Sequence, residues 1–428
     1  VKLLLKGGRV VDPGSGIDEP RDVLIEDGRI AALERGLSAE GAEVLDVGGL
    51  LVCPGFIDMH VHLREPGQEW KETVASGTRA AARGGFTGVA CMPNTVPVND
   101  SRSVTEFILA QARAQGAVAV YPIGCVTKGQ EGRELAEMED MLEAGARGFS
   151  DDGVAVRTSL MMRRALEYSR IFGCPIVDHC EDPSLVDGGV MNEGPVSTAL
   201  GLKGWPAAGE DVIVQRDILL AEDTGGHAHI AHMSTRRAAE FVRRAKARGV
   251  RVTCEVTPHH LVLTDEAVRD YDTDAKMNPP LRSERDRAAL HAALADGTID
   301  AIATDHAPHH RDEKWVEFSS APFGIVGLET AVSLCMDRLV HAGVIGFPRL
   351  VELFTTGPAR ILRLDKGRLA VGADADVTVI DPERRTKVSA RDFASLSRNT
   401  PFDGWELRGG PALTVVAGRV AHRACGGD

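Results

Sequence analysis

The chain has no CxxC pair. Its eight cysteines, Cys53, Cys91, Cys125, Cys174, Cys180, Cys254, Cys335 and Cys425, lie mostly in or beside apolar strand-like runs such as VACMP and VTCEV. That pattern excludes a zinc knuckle and a disulfide framework, and reads as small buried thiols in a reducing compartment. Cys180 follows a histidine, yet reads as packing behind it. No apolar run approaches the roughly 18 residues of a membrane span. The opening VKLLLKGGRVVD holds only three consecutive leucines, too short for a signal-peptide core, so the expected location is cytoplasmic. Positive charge is scarce too: 49 Lys and Arg against 62 Asp and Glu give a net charge of −13. This argues against nonspecific binding to nucleic acid or to a membrane surface. It leaves the charge of a small substrate open, because metal ions and one arginine can make a positive pocket in an acidic protein. Low-complexity linkers and short repeats are also missing.

What is present is an ordinary globular composition, 43% hydrophobic and 26% charged over 428 residues. The first fifty-odd residues are short apolar runs broken by DG and GG turns, and the same texture returns in KGRLAVGADADVTVIDPERR and ALTVVAGRVAHR. Neither end is large enough to stand comfortably alone. One β-sandwich built from residues 1–53 and 366–428 is the economical solution. Between them, residues 54–365 alternate strand-like and helix-like stretches. The strand candidates are 55–60, 87–92, 117–124, 147–150, 175–179, 227–232, 250–256 and 300–304. Helical stretches such as SVTEFILAQARA, SLMMRRALEYSRIF and TRRAAEFVRRAKARG separate them, several ending in glycine. Eight strands in this order predict an α/β fold, a parallel (β/α)8 TIM-type barrel. The alternative, an open doubly wound sheet, lacks a GxGxxG after its first strand. Segments 181–210 and 306–327 read as long loops, and loops of that length in a barrel are usually functional.

The most informative stretch is GFIDMHVHLREPG, residues 55–67. A strand has a side-chain period of two, so His60 and His62 project from one face, as a zinc-class ion needs. A lone HxH is weak evidence; the positions of the other candidates give it weight. Asp151 and Asp152 follow strand four, His179 ends strand five, His232 ends strand six and Asp305 follows strand eight. Five strands thus carry a metal-capable side chain at the carboxyl end, where barrel active sites are built. Four histidines and two carboxylates suit a binuclear site, with one carboxylate as a bridge and the other moving a proton during hydrolysis of an amide or imide.

Several other histidines read as structural. His227 and His229 have the opposite strand parity from His232 and are expected to pack against helices. His259 and His260 are candidates for partners behind the ligands, and His291, His341 and His422 sit on helices or the terminal strand. Lys128, in the loop after strand three, does not match the position of a carbamylated bridge.

With these residues assembled, the chain resembles the dihydroorotases of the bacterial class I type, in the amidohydrolase superfamily. GFIDMHVHLREPG, CMPNT, FSDDG, DHCED, KMNPPLR and TDHAPH carry the resemblance, which runs nearly end to end. It implies reversible hydrolysis of L-dihydroorotate to N-carbamoyl-L-aspartate in de novo pyrimidine (UMP) biosynthesis. It implies His60, His62, Asp152, His179, His232 and Asp305 as ligands of two zinc ions, bridged by Asp152 and a hydroxide. The family's DDG motif, not the spacing, selects Asp152 over Asp151. Asp305 would also be the general acid/base. Arg64, Asn94 and His309 would bind the substrate carboxylate, and Asn278, Phe323 and Gly324 the ring, with His62 and Leu63 completing the substrate pocket. A homodimer is implied; the family includes complexes with aspartate transcarbamoylase, and no residue decides whether this chain forms one.

Two other readings are distinguishable. Hydantoinases, dihydropyrimidinases and allantoinases share the HxH start but typically bridge their metals with a carbamylated lysine, and RGFSDDG offers none. An inactive scaffold for aspartate transcarbamoylase should lack ligands, and here the set is complete.

Overall fold

A computed structural model describes residues 2–38 and 40–424. Cys425 and the last residues of the expected sandwich lie outside the described residues. The amino-terminal strands are β1 (Lys2–Lys6), β2 (Arg9–Asp12), β3 (Ile17–Pro20), β4 (Asp22–Glu26), β5 (Arg29–Glu34), β6 (Glu43–Asp46) and β7 (Leu51–Pro54). The middle contributes β8 (Phe56–Val61), β9 (Phe86–Cys91), β10 (Ala119–Pro122), β11 (Pro175–Asp178), β12 (Met191–Asn192), β13 (Gly204–Trp205), β14 (His227–Ile230), β15 (Val252–Val256) and β16 (Ala301–Ile302). The carboxyl-terminal strands are β17 (Val377–Lys387), β18 (Glu406–Val416) and β19 (Arg419–Arg423).

Strands from the two ends build two sheets, ordered β5-β4-β1-β6 and β19-β18-β17-β7-β2-β3. Alternating apolar residues of both sheets meet in one buried cluster that includes Leu3, Leu5, Val23, Ile25, Val52, Val377, Val379 and Val415. Each fully buried side chain of this size is worth roughly 1.5–3 kcal/mol of transfer free energy. Chain ends far apart in sequence are thereby joined without a covalent link.

The middle is a closed ring of eight parallel staves. Sheet β10-β9-β8 and sheet β11-β14-β15-β16 account for seven of them. The eighth is the predicted strand around Phe149, which bridges Gly124 on one side and Ile176 on the other. The ring closes where Val61 bridges His306 and the His62 amide donates to the His306 carbonyl at 2.9 Å. The molecule is therefore an α/β barrel with a flanking β-sandwich. Val89, Cys91, Val252, Cys254 and Val256 face the helical layer and share its core. Phe354, on the outer helix Phe347–Phe354, packs 5.3 Å from the Phe56 ring and 5.6 Å from the Phe86 ring; its loss would cost about 3–5 kcal/mol.

The helices start and stop where their sequences dictate. Thr73, Thr158 and Thr235 accept from backbone N–H groups at the starts of Val74–Arg83, Ser159–Phe172 and Arg236–Ala247. Gly173 ends Ser159–Phe172 and Gly225 ends Ala208–Thr224, both in left-handed conformation, at φ of 70° and 69°. One expectation needs correction: segment 181–210 is not a plain loop. It folds into the short helices Pro183–Val186 and Pro195–Leu200 and the parallel pair β12–β13, because Asp182 and the two prolines provide helix starts.

Candidate metal centre and substrate cleft

The carboxyl ends of the staves converge on six buried side chains. His60 Nε2 lies 3.3 Å from Asp152 Oδ1 and 3.6 Å from Asp305 Oδ1. His62 Nε2 lies 3.0 Å from Asp305 Oδ1 and 3.4 Å from Asp152 Oδ2. His179 Nδ1 and His232 Nε2 approach to 2.9 Å, and stand 3.6 and 3.5 Å from Asp152 Oδ1. Three groups of metal-competent atoms result: His60, His62 and Asp152; Asp152, His179 and His232; His60, His232 and Asp305. Asp152 belongs to two of them. Asp151 points away, accepting from the Val126 and Thr127 amides and the Thr127 hydroxyl.

This donor set fits a metal. His60 Nε2 and Asp152 Oδ1 are buried with no hydrogen-bond partner among the described residues, and unpaired polar atoms at such a depth are costly. The far nitrogens are tied down. His60 Nδ1–H donates to Glu255 Oε1 at 2.6 Å, His62 Nδ1–H to Asn94 Oδ1 at 2.8 Å, and His179 Nε2–H to Glu181 Oε2 at 2.9 Å. Each bond fixes a tautomer and aims the other nitrogen's lone pair at the centre. Burial opposes charge on His60, yet Asp152, Glu255 and Asp305 outweigh it and hold the imidazole well above the usual histidine range. Burial also pushes Asp152 up, but His60, His179 and His232 draw it well below the usual carboxylate range.

Three residues of the site sit in left-handed backbone: Arg64 at φ 60°, His232 at 30° and Asp305 at 46°. Such conformations cost about 1–3 kcal/mol each and persist where the surroundings enforce them. The turn at His232 explains an error of parity. Along β14, Ala228 and Ile230 face the outer core, so His227 and His229 face inward. They bond Thr253 Oγ1, each at 2.8 Å, and His229 Nε2 lies 3.3 Å from Glu255 Oε2. They therefore do not pack against helices. His232 lies beyond the strand, where alternation no longer holds.

An open cleft of about 370 Å³ adjoins the cluster. Arg64, Asn94, Asn278, His309, Phe323 and Gly324 all line it, together with Gln68 and Lys71, which the sequence did not single out. Leu63 does not: its side chain is buried in the strand–helix core beside Gly77. Arg64 is buried, and burial lowers its pKa to about 10, which leaves it charged at neutral pH. Its Nε donates to the Pro308 carbonyl at 3.2 Å, and Nη2 lies 3.5 Å from His309 Nε2. No carboxylate lies within 4 Å of it among the described residues. A buried guanidinium in a cleft without a carboxylate of its own has its planar fork of donors free to take one. Gly324, at φ 151°, has no room for a side chain: a Cβ would sit 2.6 Å from the Ala307 carbonyl oxygen and 2.7 Å from His309 Cδ2.

Glu255 and Glu181 were also missed, since neither stands in a spacing that marks a ligand; only the need of His60 and His179 for an orienting acceptor could have pointed to them. His260 bonds Thr257 and the Pro279 carbonyl, and His259 Nε2 has no partner among the described residues. Lys128 is exposed, paired with Glu134 and Glu137 away from the cluster.

Residues 49–238 match the family model described as dihydro-orotase-like, and residues 219–422 match that of the amidohydrolase family. A dihydroorotase of Pelotomaculum thermopropionicum is 59% identical over 420 residues, 98% of each chain. The chain belongs to the dihydroorotase family. A second member, from Geobacter sulfurreducens, is 57% identical over 423 residues, 99% of each chain. Among solved structures, L-hydantoinase from Arthrobacter aurescens superposes with a TM-score of 0.88 at 27% identity, over 98% of this chain and 95% of that one. D-hydantoinase from a Thermus species gives 0.84 at 28% identity, with the same coverage. Dihydroorotases thus share this fold with hydantoinases, while sequence places the chain with the former. As a family member it is a cyclic amide hydrolase with a metal cofactor, and the His and Asp cluster could hold such an ion.

Proposed function

We propose that the chain hydrolyses L-dihydroorotate reversibly to N-carbamoyl-L-aspartate, using two zinc ions held by His60, His62, Asp152, His179, His232 and Asp305, with Asp152 shared between them. The observation that carries this reading is that the buried Arg64 opens into the same cleft as the six-residue cluster. The substrate is a cyclic imide bearing one carboxylate, and the cleft offers one fixed cation beside one hydrolytic centre.

Zinc, when bound, polarises a carbonyl and acidifies water. Arg64 meets the substrate carboxylate and fixes the ring's orientation, with Asn94 and His309 beside it. Asn278, whose Nδ2 donates to Glu181 Oε2 at 3.0 Å, has a buried Oδ1 with no partner among the described residues. That oxygen accepts from the ring N–H, so an analogue without the donor leaves it unpaired. Asp305 takes the proton from the attacking water as its oxygen bonds to the imide carbon. As the C–N bond breaks, Asp305 delivers that proton to the leaving nitrogen, and ring closure reverses both transfers.

Absorbance loss of L-dihydroorotate with zinc-loaded protein, beside dihydrouracil, hydantoin and allantoin, tests the proposal. Turnover of dihydroorotate alone is expected. Turnover of an uncharged ring would make the chain a cyclic amidase of the hydantoinase kind, and silence on all four would favour a scaffold role.

A further inference from the structure

Two lysines near the cleft are almost completely buried, Lys276 at 2% exposure and Lys314 at 4%. Neither has a carboxylate within 4 Å among the described residues. Lysine is rarely buried unpaired, because an ammonium group stripped of water is costly. Both are instead surrounded by main-chain carbonyls. Lys276 Nζ donates to the carbonyls of Phe318, Ala321 and Ser319 at 2.7, 2.6 and 3.1 Å, and lies 4.6 Å from the centre of the Phe323 ring. Lys314 Nζ donates to the carbonyls of Thr273 and Pro322 at 2.8 and 2.9 Å. The main chain joins the same two segments: the Gly324 amide donates to the Lys276 carbonyl at 2.9 Å, and Thr273 Oγ1 to the Lys314 carbonyl at 2.7 Å.

The lysines reach in opposite directions. Lys276 precedes Met277 and Asn278 and grips the loop; Lys314 lies in the loop and grips the segment before Met277. The residues they gather, Met277, Asn278, Pro322, Phe323 and Gly324, form one wall of the cleft. We propose that Lys276 and Lys314 are positioning residues for substrate binding, their Nζ donors stapling segment 306–327 to segment 273–278 so that this wall has one shape before substrate arrives. A deeply buried polar group kept in place of an apolar contact is consistent with such a specifying role. Pre-forming the wall spares the substrate the cost of ordering it. The inference rests on the cleft being the substrate site.

The test is amide hydrogen exchange of peptides within 306–327, without substrate, in the zinc-loaded wild type and in Lys276→Met and Lys314→Met, together with metal content and steady-state kinetics. Methionine keeps most of the volume and removes the donors. Exchange in 306–327 is expected to quicken at least tenfold and KM for dihydroorotate to rise about tenfold, with zinc content unchanged. Lys276→Arg, which keeps the charge and the donors, should recover part of the protection. Exchange and KM within twofold of wild type in both methionine variants would overturn the proposal. If those variants do not fold, the wild type decides: exchange of the loop as slow as that of the barrel strands supports the staple, and exchange as fast as that of the exposed turn at 13–16 refutes it. The exchange arm needs no turnover, so failure of the dihydroorotase reading stays distinct from failure of the staple.

Discussion

Glu255 and His60 share a 2.6 Å hydrogen bond in the barrel interior, and both side chains are completely buried. The carboxylate turns the imidazole so that Nε2 faces Asp152, and its second oxygen is held by His229. Glu255→Gln keeps the shape but loses the charge that makes His60 a strong donor. Metal affinity should fall about 10- to 100-fold, read as zinc retained against a graded chelator, with the far-ultraviolet circular dichroism unchanged. Retention equal to wild type would show that Glu255 does not tune the metal affinity.

Asp305 is the group assigned to move the proton. Asp305→Ala should keep the fold and lower kcat by at least about 10²–10⁴, measured on protein whose zinc content has been determined. Substantial residual turnover would contradict its role.

The buried lysines also make a prediction about pH. Burial lowers Lys276 to about 8 and Lys314, despite Asp274 nearby, to about 7, against 10.5 for an unperturbed lysine. The unfolded chain therefore binds protons that the folded chain does not, and stability rises with pH between the folded and unfolded values. Each group contributes a slope of at most about 1.4 kcal/mol per pH unit, and its contribution is lost as pH falls through 8 and then 7. Urea unfolding from pH 6.5 to 9 should show this rise, and Lys314→Met should flatten it. Equal slopes in the two proteins would refute the linkage.

Much of this was legible in the chain because it follows from local periodicity. Each of the eight strand segments expected between 55 and 304 lies on a barrel stave, and even the weak one around Phe149 is held only by single bridges. Period two placed His60 and His62 on one face correctly and misplaced His227 and His229, because a left-handed residue at His232 resets the direction after the strand ends. Leu63 illustrates the converse: neighbouring His62 and Arg64 face the cleft, so its own side chain turns into the core. Glu181, Glu255, Lys276 and Lys314 act through partners from 2 to 195 residues away, a relation that spacing along the chain does not encode.

The proposed function makes Arg64 the residue that selects a ring bearing a carboxylate. The direct measurement is kcat/KM for L-dihydroorotate and for dihydrouracil, in the wild type and in Arg64→Ala, at equal zinc content. The substitution should lower the dihydroorotate value about 100-fold or more, the loss expected for a buried charge-assisted pair. Dihydrouracil should stay at background in both proteins. A dihydroorotate value within threefold of wild type, or dihydrouracil turned over by the wild type as fast as dihydroorotate, would contradict that role.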